Sequence, residues 1–428
     1  MKTILNPGNK TWESLCRRPA IEQEYLTQTV REILDKLKLS GDKAVIEFTK
    51  KFDSVELSGL KVSEKEIEDA SMNVSQELKN AINIAKENID KFHRAQLSDT
   101  VIVETTSGVK CWRKNVGIEK IGIYIPGGSA PLFSTILMLG IPANIAECRE
   151  IILCTPCNKN NIIHPAILYT AQLVGIKNIF KVGGAQAIGA MAYGTESIPK
   201  VDKIFGPGNQ YVTKAKELVQ QQGVAIDLPA GPSELLVIAD DTCIPEFVAA
   251  DLLSQAEHGA DSQVVLLTNN NTIAKNVSTE IKKQIENLLR NKIAEKAIEN
   301  SFTLVLDTID DCIEFSNRYA PEHLILAVAN AKNLSEKIIN AGSVFIGNYS
   351  CESAGDYASG TNHTLPTNGF AKSYSGVSVD SFVKKITFQE ITEEGIKNLG
   401  HVIETMAEAE QLAAHKNAVT IRLKSFKQ

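Results

Sequence analysis

Apolar residues recur at every third or fourth position in the first quarter of the chain. This spacing predicts amphipathic helices, because side chains three and four residues apart share one helix face. The helices are expected at residues 25–37, 42–52 and 76–97. Residues 1–24 are polar and irregular, which predicts an N-terminal arm. Over 101–104 and 110–116 apolar and polar residues alternate, the period of a strand with one buried face.

From residue 121 onward, short apolar runs alternate with segments of helix length. The apolar runs predict strands at 121–125, 151–155, 179–182, 203–205, 224–228, 235–239, 263–268, 303–306, 323–327 and 343–346. Helical spacing falls between them at 165–174, 245–257, 273–292, 309–319 and 334–341. Such alternation is typical of parallel sheets, whose ligands bind beyond the carboxyl ends of the strands. The predicted fold class is therefore α/β.

Two α/β units are the simplest division of this alternation. The first domain is predicted to be discontinuous, with residues 25–117 and 235–370, so that the opening helices fold back onto the second run of strands. Residues 118–234 form the second domain. Residues 371–428 are predicted to be a C-terminal helical segment with an apolar face suited to docking or dimerisation. Its two helices are expected at 392–409 and 412–423.

Composition and charge exclude several classes of protein. The 428 residues are 43% hydrophobic, which is enough for a large core divided over two or more domains. A formal net charge of -6 provides no basic field for a nucleic acid or an anionic membrane. The first residues lack the apolar stretch of a signal peptide, so we expect a cytoplasmic protein.

Two sequence features that could indicate a function are better explained as parts of the buried core. Residues 121–146 carry no charge, but proline and glycine interrupt them repeatedly, which indicates a buried strand, turn and helix instead of a membrane span. Cys154 and Cys157 could form a redox dithiol or half of a zinc site. No second pair accompanies them, and we expect buried, unreactive thiols.

Gln255 and His258 are the first residues that could hold a metal ion. They stand three apart on a predicted helix, so both side chains would point the same way. An imidazole nitrogen and an amide oxygen side by side make half of a divalent metal site. An ordinary helix surface is the alternative interpretation.

Acidic residues accompany histidines at three later points. The pairs are Glu322 with His323, Asp356 with His363, and Glu410 with His415. An imidazole at position 323 could take a hydroxyl proton, and a carboxylate at position 322 could activate water. The alternative is a turn with an exposed acid and a capping histidine. Glu410 and His415 would lie about 140° apart on an ideal helix, which predicts a helix break between them.

Glycine-rich turns follow three of the predicted strands in the second domain. They are Gly127-Gly128, Gly183-Gly184 and Gly206-Pro207-Gly208. Glycine lets a backbone approach a pyrophosphate, and the start of the next helix supplies free N–H groups. None of the turns is a G-x-G-x-x-G fingerprint, so ordinary strand-to-helix turns remain an alternative.

Three segments in order carry a resemblance to a known family. They are Q-A-E-H-G at 255–259, P-E-H-L at 321–324 and E-S-A-G-D-Y-A-S-G-T-N-H at 352–363. The chain resembles the histidinol dehydrogenase family over nearly its whole length. The resemblance implies a zinc-dependent, NAD-linked enzyme with two incomplete Rossmann-like domains. Its members oxidise L-histidinol through histidinal to L-histidine, the end of histidine biosynthesis.

The resemblance also implies a role for individual residues. Zinc would be held by Gln255, His258, Asp356 and His415, and the catalytic residues would be Glu322 and His323. Substrate contacts would come from Ser233, Gln255, His258, His323, Asp356, His363, Glu410 and His415. NAD would contact Tyr124, Pro126, Gln186 and Asn209. In this family the C-terminal segment reaches into the neighbouring subunit, so we expect a homodimer with shared active sites.

Two other classes of function stay open at this point. A zinc hydrolase could use the same metal ligands, with water activated by Glu322. A non-enzymatic zinc- or solute-binding protein could clamp its ligand between two α/β lobes. Cys351 raises a rival mechanism in which a thiolate captures the aldehyde, but no neighbouring residue in the sequence is clearly placed to activate it.

Overall fold

The computed structural model describes residues 1–18, 23–127, 130–229 and 231–426. Over these residues the strands are β1 (Lys2–Leu5), β2 (Ile102–Thr106), β3 (Val109–Gly117), β4 (Lys120–Tyr124), β5 (Glu150–Thr155), β6 (Asn178–Lys181), β7 (Lys203–Phe205), β8 (Ala225–Ile226), β9 (Glu234–Ala239), β10 (Gln263–Thr268), β11 (Phe302–Val305), β12 (His323–Ala327), β13 (Ser343–Ile346) and β14 (Val383–Ile391). The helices are α1 (Asn9–Leu15), α2 (Gln23–Asp53), α3 (Glu64–Met72), α4 (Gln76–Arg94), α5 (Phe133–Ile145), α6 (Pro165–Leu173), α7 (Gly184–Tyr193), α8 (Gln210–Gln220), α9 (Pro245–Ala256), α10 (Asn271–Ile285), α11 (Asn291–Glu299), α12 (Ile309–Tyr319), α13 (Ala331–Ser335), α14 (Glu352–Tyr357), α15 (Glu393–Ala409) and α16 (Ala413–Ser425).

The second run of predicted strands forms a six-stranded parallel sheet. Its order is β1-β11-β10-β9-β12-β13. Every residue of β9, β10 and β12 is buried, because helices cover both faces of the sheet. Leu252 of α9 and Val277 of α10 pack on one face, and Phe315 of α12 packs on the other. The predicted parallel α/β architecture is confirmed.

The first run of strands forms a five-stranded parallel sheet in the order β6-β5-β4-β7-β8. The uncharged segment over residues 121–146 supplies its central strand β4 and the almost entirely buried helix α5. No helix over the described residues combines the length and apolar content needed to cross a bilayer. The interpretation of this segment as a buried strand and helix is therefore confirmed.

The opening helices pack on the five-stranded sheet, so the prediction that residues 25–117 join residues 235–370 is wrong for them. Val30 of α2 shares a core with α7, and Ile89 of α4 shares a core with α5. Helices of the second run already cover both faces of the six-stranded sheet. The short helices α6 to α8 leave apolar surface on the five-stranded sheet that α2, α3 and α4 fill. An amphipathic pattern shows that a helix has an apolar face, but not which sheet covers it.

The first residues are more regular than the predicted arm of residues 1–24. Strand β1 pairs in parallel with β11 at the edge of the six-stranded sheet, and α1 follows it. Trp12 of α1 is buried against Phe315, with ring centroids 5.4 Å apart. A four-residue strand is too short to show a period, and its partner lies far along the chain. Residues 19–22 of the predicted arm lie outside the described residues.

The C-terminal segment contains a strand that the helical prediction for residues 371–428 missed. Strand β14 pairs antiparallel with β3, and β3 pairs with β2, to give a separate three-stranded sheet. Most of β14 is exposed, so its sequence carries little apolar signal, and its partner is distant in the chain. The predicted helix break is confirmed, because α15 ends at Ala409 and α16 begins at Ala413.

Two predicted helices in the second run have different bounds. The helix expected over 273–292 ends at Ile285, and a turn separates it from α11. Asn287 in that turn donates its side-chain amide to the Lys283 carbonyl oxygen at 3.3 Å. Such local side-chain bonds compete with helix continuation. The helix expected over 334–341 is replaced by the short helix α13.

Candidate active site

A cavity of about 180 Å³ lies between the two parallel sheets and collects residues from both. The six-stranded sheet contributes the amino ends of its central strands β9 and β12. The five-stranded sheet contributes the turn after the carboxyl end of β7, which contains Gly206, Pro207 and Gly208. Of the residues predicted for the site, the cavity is lined by Ser233, Gln255, His258, Glu322, His323, Asp356 and His363.

Gln255 and His258 both reach this cavity, although they are not on one helical face as predicted. Helix α9 ends at Ala256, and the His258 N–H donates to the Gln255 carbonyl oxygen at 3.2 Å just beyond it. Gln255 is 1% exposed. With its amide nitrogen toward the Glu352 carboxylate, its oxygen accepts from the Glu234 N–H at 3.2 Å. This orientation gives both ends of the amide a complementary partner.

Glu322 and His323 stand at the start of β12, and the main chain of Glu234 holds both. A Glu322 carboxylate oxygen accepts from the Glu234 N–H at 2.8 Å, and His323 Nδ1 lies 3.2 Å from the Glu234 carbonyl oxygen. A carbonyl oxygen only accepts, so Nδ1 carries the proton of a neutral His323. Among the described residues, His323 Nε2 is buried without a hydrogen-bond partner. A free nitrogen of this kind is ready to accept a proton.

Burial changes the protonation of both residues. Loss of solvent raises the pKa of Glu322 well above its usual range, against the hydrogen bond from Glu234. The same loss lowers the pKa of His323 to about 3, with a smaller contribution from His363. His323 is therefore neutral at pH 7.

Acidic side chains gather around His323. His323 Nε2 lies 3.7 Å from Asp356 Oδ1, and Nδ1 lies 3.5 Å from Glu352 Oε1. One ligand atom from each of these three residues falls within 4.8 Å of the others. Burial raises the pKa of Asp356 to about 7 and that of Glu352 well above its usual range, where Asp356 adds repulsion. Buried carboxyl groups packed this closely favour a cation among them.

His363 closes the wall of the cavity next to Asp356. Its Nδ1 lies 2.9 Å from the Asp356 carbonyl oxygen, and its Nε2 lies 3.0 Å from Thr135 Oγ1. Burial lowers the pKa of His363 to about 4, so the ring is neutral at pH 7. With both ring nitrogens occupied, His363 connects helix α14 to helix α5 across the cavity.

The residues predicted to contact NAD lie along the carboxyl edge of the five-stranded sheet. Tyr124 ends β4, and its hydroxyl accepts from the Gly184 N–H at 3.0 Å. Gln186 is buried at the start of α7, and its Nε2 has no hydrogen-bond partner within the described ranges. Pro126 is half-buried just after β4. Asn209 is exposed and caps α8, because its side-chain oxygen accepts from the N–H groups of Tyr211 and Val212, which the helix leaves free.

A buried ion pair fixes the turn that links this edge to the cavity. Lys216 contacts Asp227, and Lys216 Nζ also donates to the Gly206 carbonyl oxygen at 3.0 Å. The Gly206 N–H donates to Asp227 at 2.8 Å. Gly206 has a φ of 122°, and a Cβ there would collide with the Tyr124 carbonyl oxygen, so glycine is required. Gly128 and Ala230, in neighbouring turns, lie outside the described residues.

Two predicted residues do not join the cavity within one chain. Glu410 and His415 are exposed, one at the end of α15 and the other in α16. Three of the four predicted metal ligands therefore lie together, and the fourth does not.

The prediction from sequence missed Glu234, Asp251 and Glu352. Burial raises the pKa of Asp251 to about 6, and it stands one turn before Gln255. Glu352 precedes Asp356 by four residues on α14, a spacing that places two acids on one helix face and could have identified it. Glu234 acts through its main chain, which no sequence pattern reveals.

The cysteines fit the structural interpretation. All eight are free, and burial raises the pKa of Cys154 beyond its usual range. Burial also raises the pKa of Cys157, which is half-buried. Both changes disfavour the reactive thiolate.

Comparison with known proteins identifies the family of the chain. A family model described as histidinol dehydrogenase matches residues 16–423. The chain is 58% identical to a histidinol dehydrogenase of Bacteroides thetaiotaomicron over 427 residues, covering 100% of both chains. It is 52% identical to that of Escherichia coli over 432 residues, covering 100% of this chain and 99% of the relative. A crystal structure of histidinol dehydrogenase from Elizabethkingia anophelis superimposes with a TM-score of 0.98 at 60% identity, covering 100% of this chain and 99% of that one. The chain therefore belongs to the histidinol dehydrogenase family, the NAD-dependent oxidoreductases of histidine biosynthesis.

Proposed function

We propose that the protein oxidises L-histidinol to L-histidine in one site, through histidinal, with two NAD⁺ and one water. The observation that carries this proposal is the convergence of Glu322 and His323 with Gln255, His258 and Asp356 in one cavity. The same cavity reaches the Gly206 turn of the five-stranded sheet. The hydrolase and solute-binding alternatives are not favoured, because the family is one of oxidoreductases.

The donor set of the cavity fits a divalent cation. Gln255, His258 and Asp356 would hold it, with neutral nitrogen and oxygen donors beside one carboxylate, as zinc accepts. Neither ring nitrogen of His258 has a hydrogen-bond partner among the described residues, so the imidazole is free to ligate. A bound zinc would supply a positive charge that orients the imidazole and amine of histidinol.

His323 and Glu322 would move the protons of the two oxidations. In the first, His323 Nε2 takes the hydroxyl proton while the carbon loses a hydride to NAD⁺, which leaves histidinal. In the second, Glu322 takes a proton from the water that adds to the aldehyde, and the hydrate then loses a hydride to the second NAD⁺. A carboxylate with a raised pKa is the stronger base once it is ionised. Release of three protons in total balances the formation of two NADH and a carboxylate.

The carboxyl edge of the five-stranded sheet fits the dinucleotide. Gln186 offers a buried amide N–H₂ group without a partner in the described part of the chain, and a ligand acceptor would satisfy it. Tyr124, Pro126 and Asn209 lie along the same edge and complete the proposed NAD contacts. The five-stranded sheet would thus hold the hydride acceptor, and the six-stranded sheet would carry the proton-transfer residues.

A homodimer with shared sites is part of the same proposal. His415 would supply the fourth zinc ligand and Glu410 an anionic partner for the substrate ammonium, both from the second subunit. The exposure of both residues on the C-terminal helices supports this arrangement. Val402, Met406 and Ile421 on those helices are exposed apolar residues of the kind that a partner covers.

We place the reaction in the cytoplasm.

Absorbance of NADH tests the proposed reaction directly. Purified protein with L-histidinol and NAD⁺ is expected to form two equivalents of NADH per substrate. A chelator should abolish the signal, and added zinc should restore it. One equivalent of NADH with release of histidinal would contradict the second oxidation, and full activity in the chelator would contradict the metal.

A further inference from the structure

The main chain of Glu234 contacts three residues of the proposed catalytic site. Its N–H lies 2.8 Å from Glu322 and, with the Gln255 amide oriented as above, 3.2 Å from that side-chain oxygen. Its carbonyl oxygen lies 3.2 Å from His323 Nδ1. The main-chain position of this one residue therefore controls the orientation of both proton-transfer residues and of one proposed metal ligand.

The side chain of Glu234 is held by Arg18 from the start of the chain. Arg18 Nε donates to Glu234 Oε1 at 2.9 Å, and Nη2 donates to Oε2 at 2.7 Å, a two-bond contact between planar groups. Glu234 Oε1 also accepts from the Asn368 N–H at 2.8 Å. Both carboxylate oxygens are thereby occupied.

Arg18 is itself fixed in place on helix α12. Its guanidinium lies 3.5 Å from the ring centroid of Tyr319, and Nη2 donates to the Tyr319 carbonyl oxygen at 2.9 Å. Nη1 donates to the Cys16 carbonyl oxygen at 2.8 Å. The side chains of Arg18 and Glu234 are only 8% and 1% exposed, so solvent cannot replace either partner.

We propose that Arg18 and Glu234 are positioning residues, which fix the main chain of Glu234 so that Glu322 and His323 keep the orientations needed for proton transfer. The Glu234 carbonyl then holds the His323 proton on Nδ1 and leaves Nε2 free as the base. Arg18 touches neither substrate nor cofactor and acts only through Glu234. The inference rests on the proposed function, because it concerns the same two proton-transfer residues.

Substitutions of Arg18 test whether this residue positions the proton-transfer residues or only stabilises the fold. Arg18→Met keeps most of the side-chain volume and loses the charge and all donors. We expect kcat for histidinol oxidation to fall by about 10²-fold, as for misplaced catalytic groups in general, with KM for NAD⁺ unchanged because the five-stranded sheet is intact. Arg18→Lys keeps the charge but not the two-bond geometry, and it should restore part of kcat.

Arg318→Met provides a matched control on α12, the helix against which Arg18 packs. Arg318 also stacks on an aromatic ring, that of Trp12 at 5.0 Å, but its carboxylate partner is the exposed Glu314. This variant should keep the wild-type kcat. A folded Arg18→Met or Arg18→Lys protein with wild-type kcat would overturn the proposal, as would an equal loss in Arg318→Met.

The tautomer of His323 gives a second measurement that needs no Arg18 variant to fold. Long-range ¹⁵N–¹H correlation spectra of the zinc-loaded wild-type protein should show the His323 proton on Nδ1, with the signal assigned by its loss in His323→Gln. A proton on Nε2 would overturn the role of the Glu234 carbonyl. Wild-type protein that forms no NADH would instead contradict the proposed function, so the two failures are distinguishable.

Discussion

The two parallel sheets meet the active-site cavity with opposite ends of their strands. The five-stranded sheet presents carboxyl ends and the turns that follow them, as at Tyr124 and Gly206. The six-stranded sheet presents amino ends, where Glu234 and His323 begin their strands. The proposed NAD contacts therefore follow the general rule that ligands bind beyond carboxyl ends, whereas the proposed proton-transfer residues lie at the opposite ends of their strands.

This difference matches the chemistry proposed for each side. The turns after parallel strands offer backbone N–H groups and close approach, which suit a dinucleotide. The first residues of buried central strands are rigid, and their main-chain groups can hold Glu322 and His323 in fixed positions. Substitutions beside the six-stranded sheet should therefore change kcat or zinc affinity, whereas substitutions beside the five-stranded sheet should change the KM for NAD⁺.

The largest effect is expected at the amino ends of the six-stranded sheet. His323→Gln removes the free Nε2 base, and kcat should fall by roughly 10²–10⁴-fold, the usual contribution of a general base. Binding of NAD⁺, measured by calorimetry, should not change because the five-stranded sheet is intact. If NAD⁺ binding were lost as well, the separate roles proposed for the two sheets would be contradicted.

A smaller effect is expected at Glu352, which lies behind the proposed metal ligands. Glu352→Gln replaces the carboxylate that orients the Gln255 amide with a neutral amide, and such outer partners typically contribute 10–100-fold to metal affinity. We expect zinc affinity to fall by about that factor in a chelator competition. Glu336→Gln, in the exposed turn after α13, serves as the control. Unchanged affinity would show that Gln255 needs no such partner.

The carboxyl edge of the five-stranded sheet should give a weaker, cofactor-specific effect. Gln186→Leu removes the buried amide proposed to bind NAD, and one hydrogen bond contributes about 1 kcal/mol. The KM for NAD⁺ should rise by about 5-fold, whereas KM for histidinol should stay at the wild-type value. A change in the KM for histidinol alone would contradict the assignment of Gln186 to the NAD site.

The smallest effect is expected for Cys351, which precedes α14 and does not line the cavity. Cys351→Ser should change the rate of NADH formation in either oxidation by no more than about twofold. Selective loss of the second oxidation, measured with histidinal as the starting substrate, would support the thiolate mechanism instead.

Much of this arrangement could be predicted because its signals are local. The strands from β4 to β13 each carry an apolar run bounded by turns, and nine of the ten predicted runs overlap strands of three residues or more. The pair Glu322-His323 is adjacent in the chain, so its position before a buried strand followed directly. The edge strand β1 and the exposed strand β14 could not be found this way, because neither shows a long enough pattern of apolar positions.

The candidate site was predictable in its residue types and not in its supporting contacts. The motifs and the family resemblance indicated Gln255, Asp356 and the residues around them. They gave no sign of Glu234, whose effect depends on two main-chain atoms, or of Arg18, which lies in what resembled an irregular arm.

The sequence by itself determined the alternation of strands and helices, the parallel sheets and the chemical groups available for proton transfer and metal binding. Only the tertiary structure decided that the opening helices cover the five-stranded sheet, and that the two sheets face the cavity with opposite strand ends. Periodicity is a property of neighbouring residues, whereas burial, pKa and ion pairing depend on residues far apart in the chain. Arg18 and Glu234, 216 positions apart, meet only after folding removes water from both.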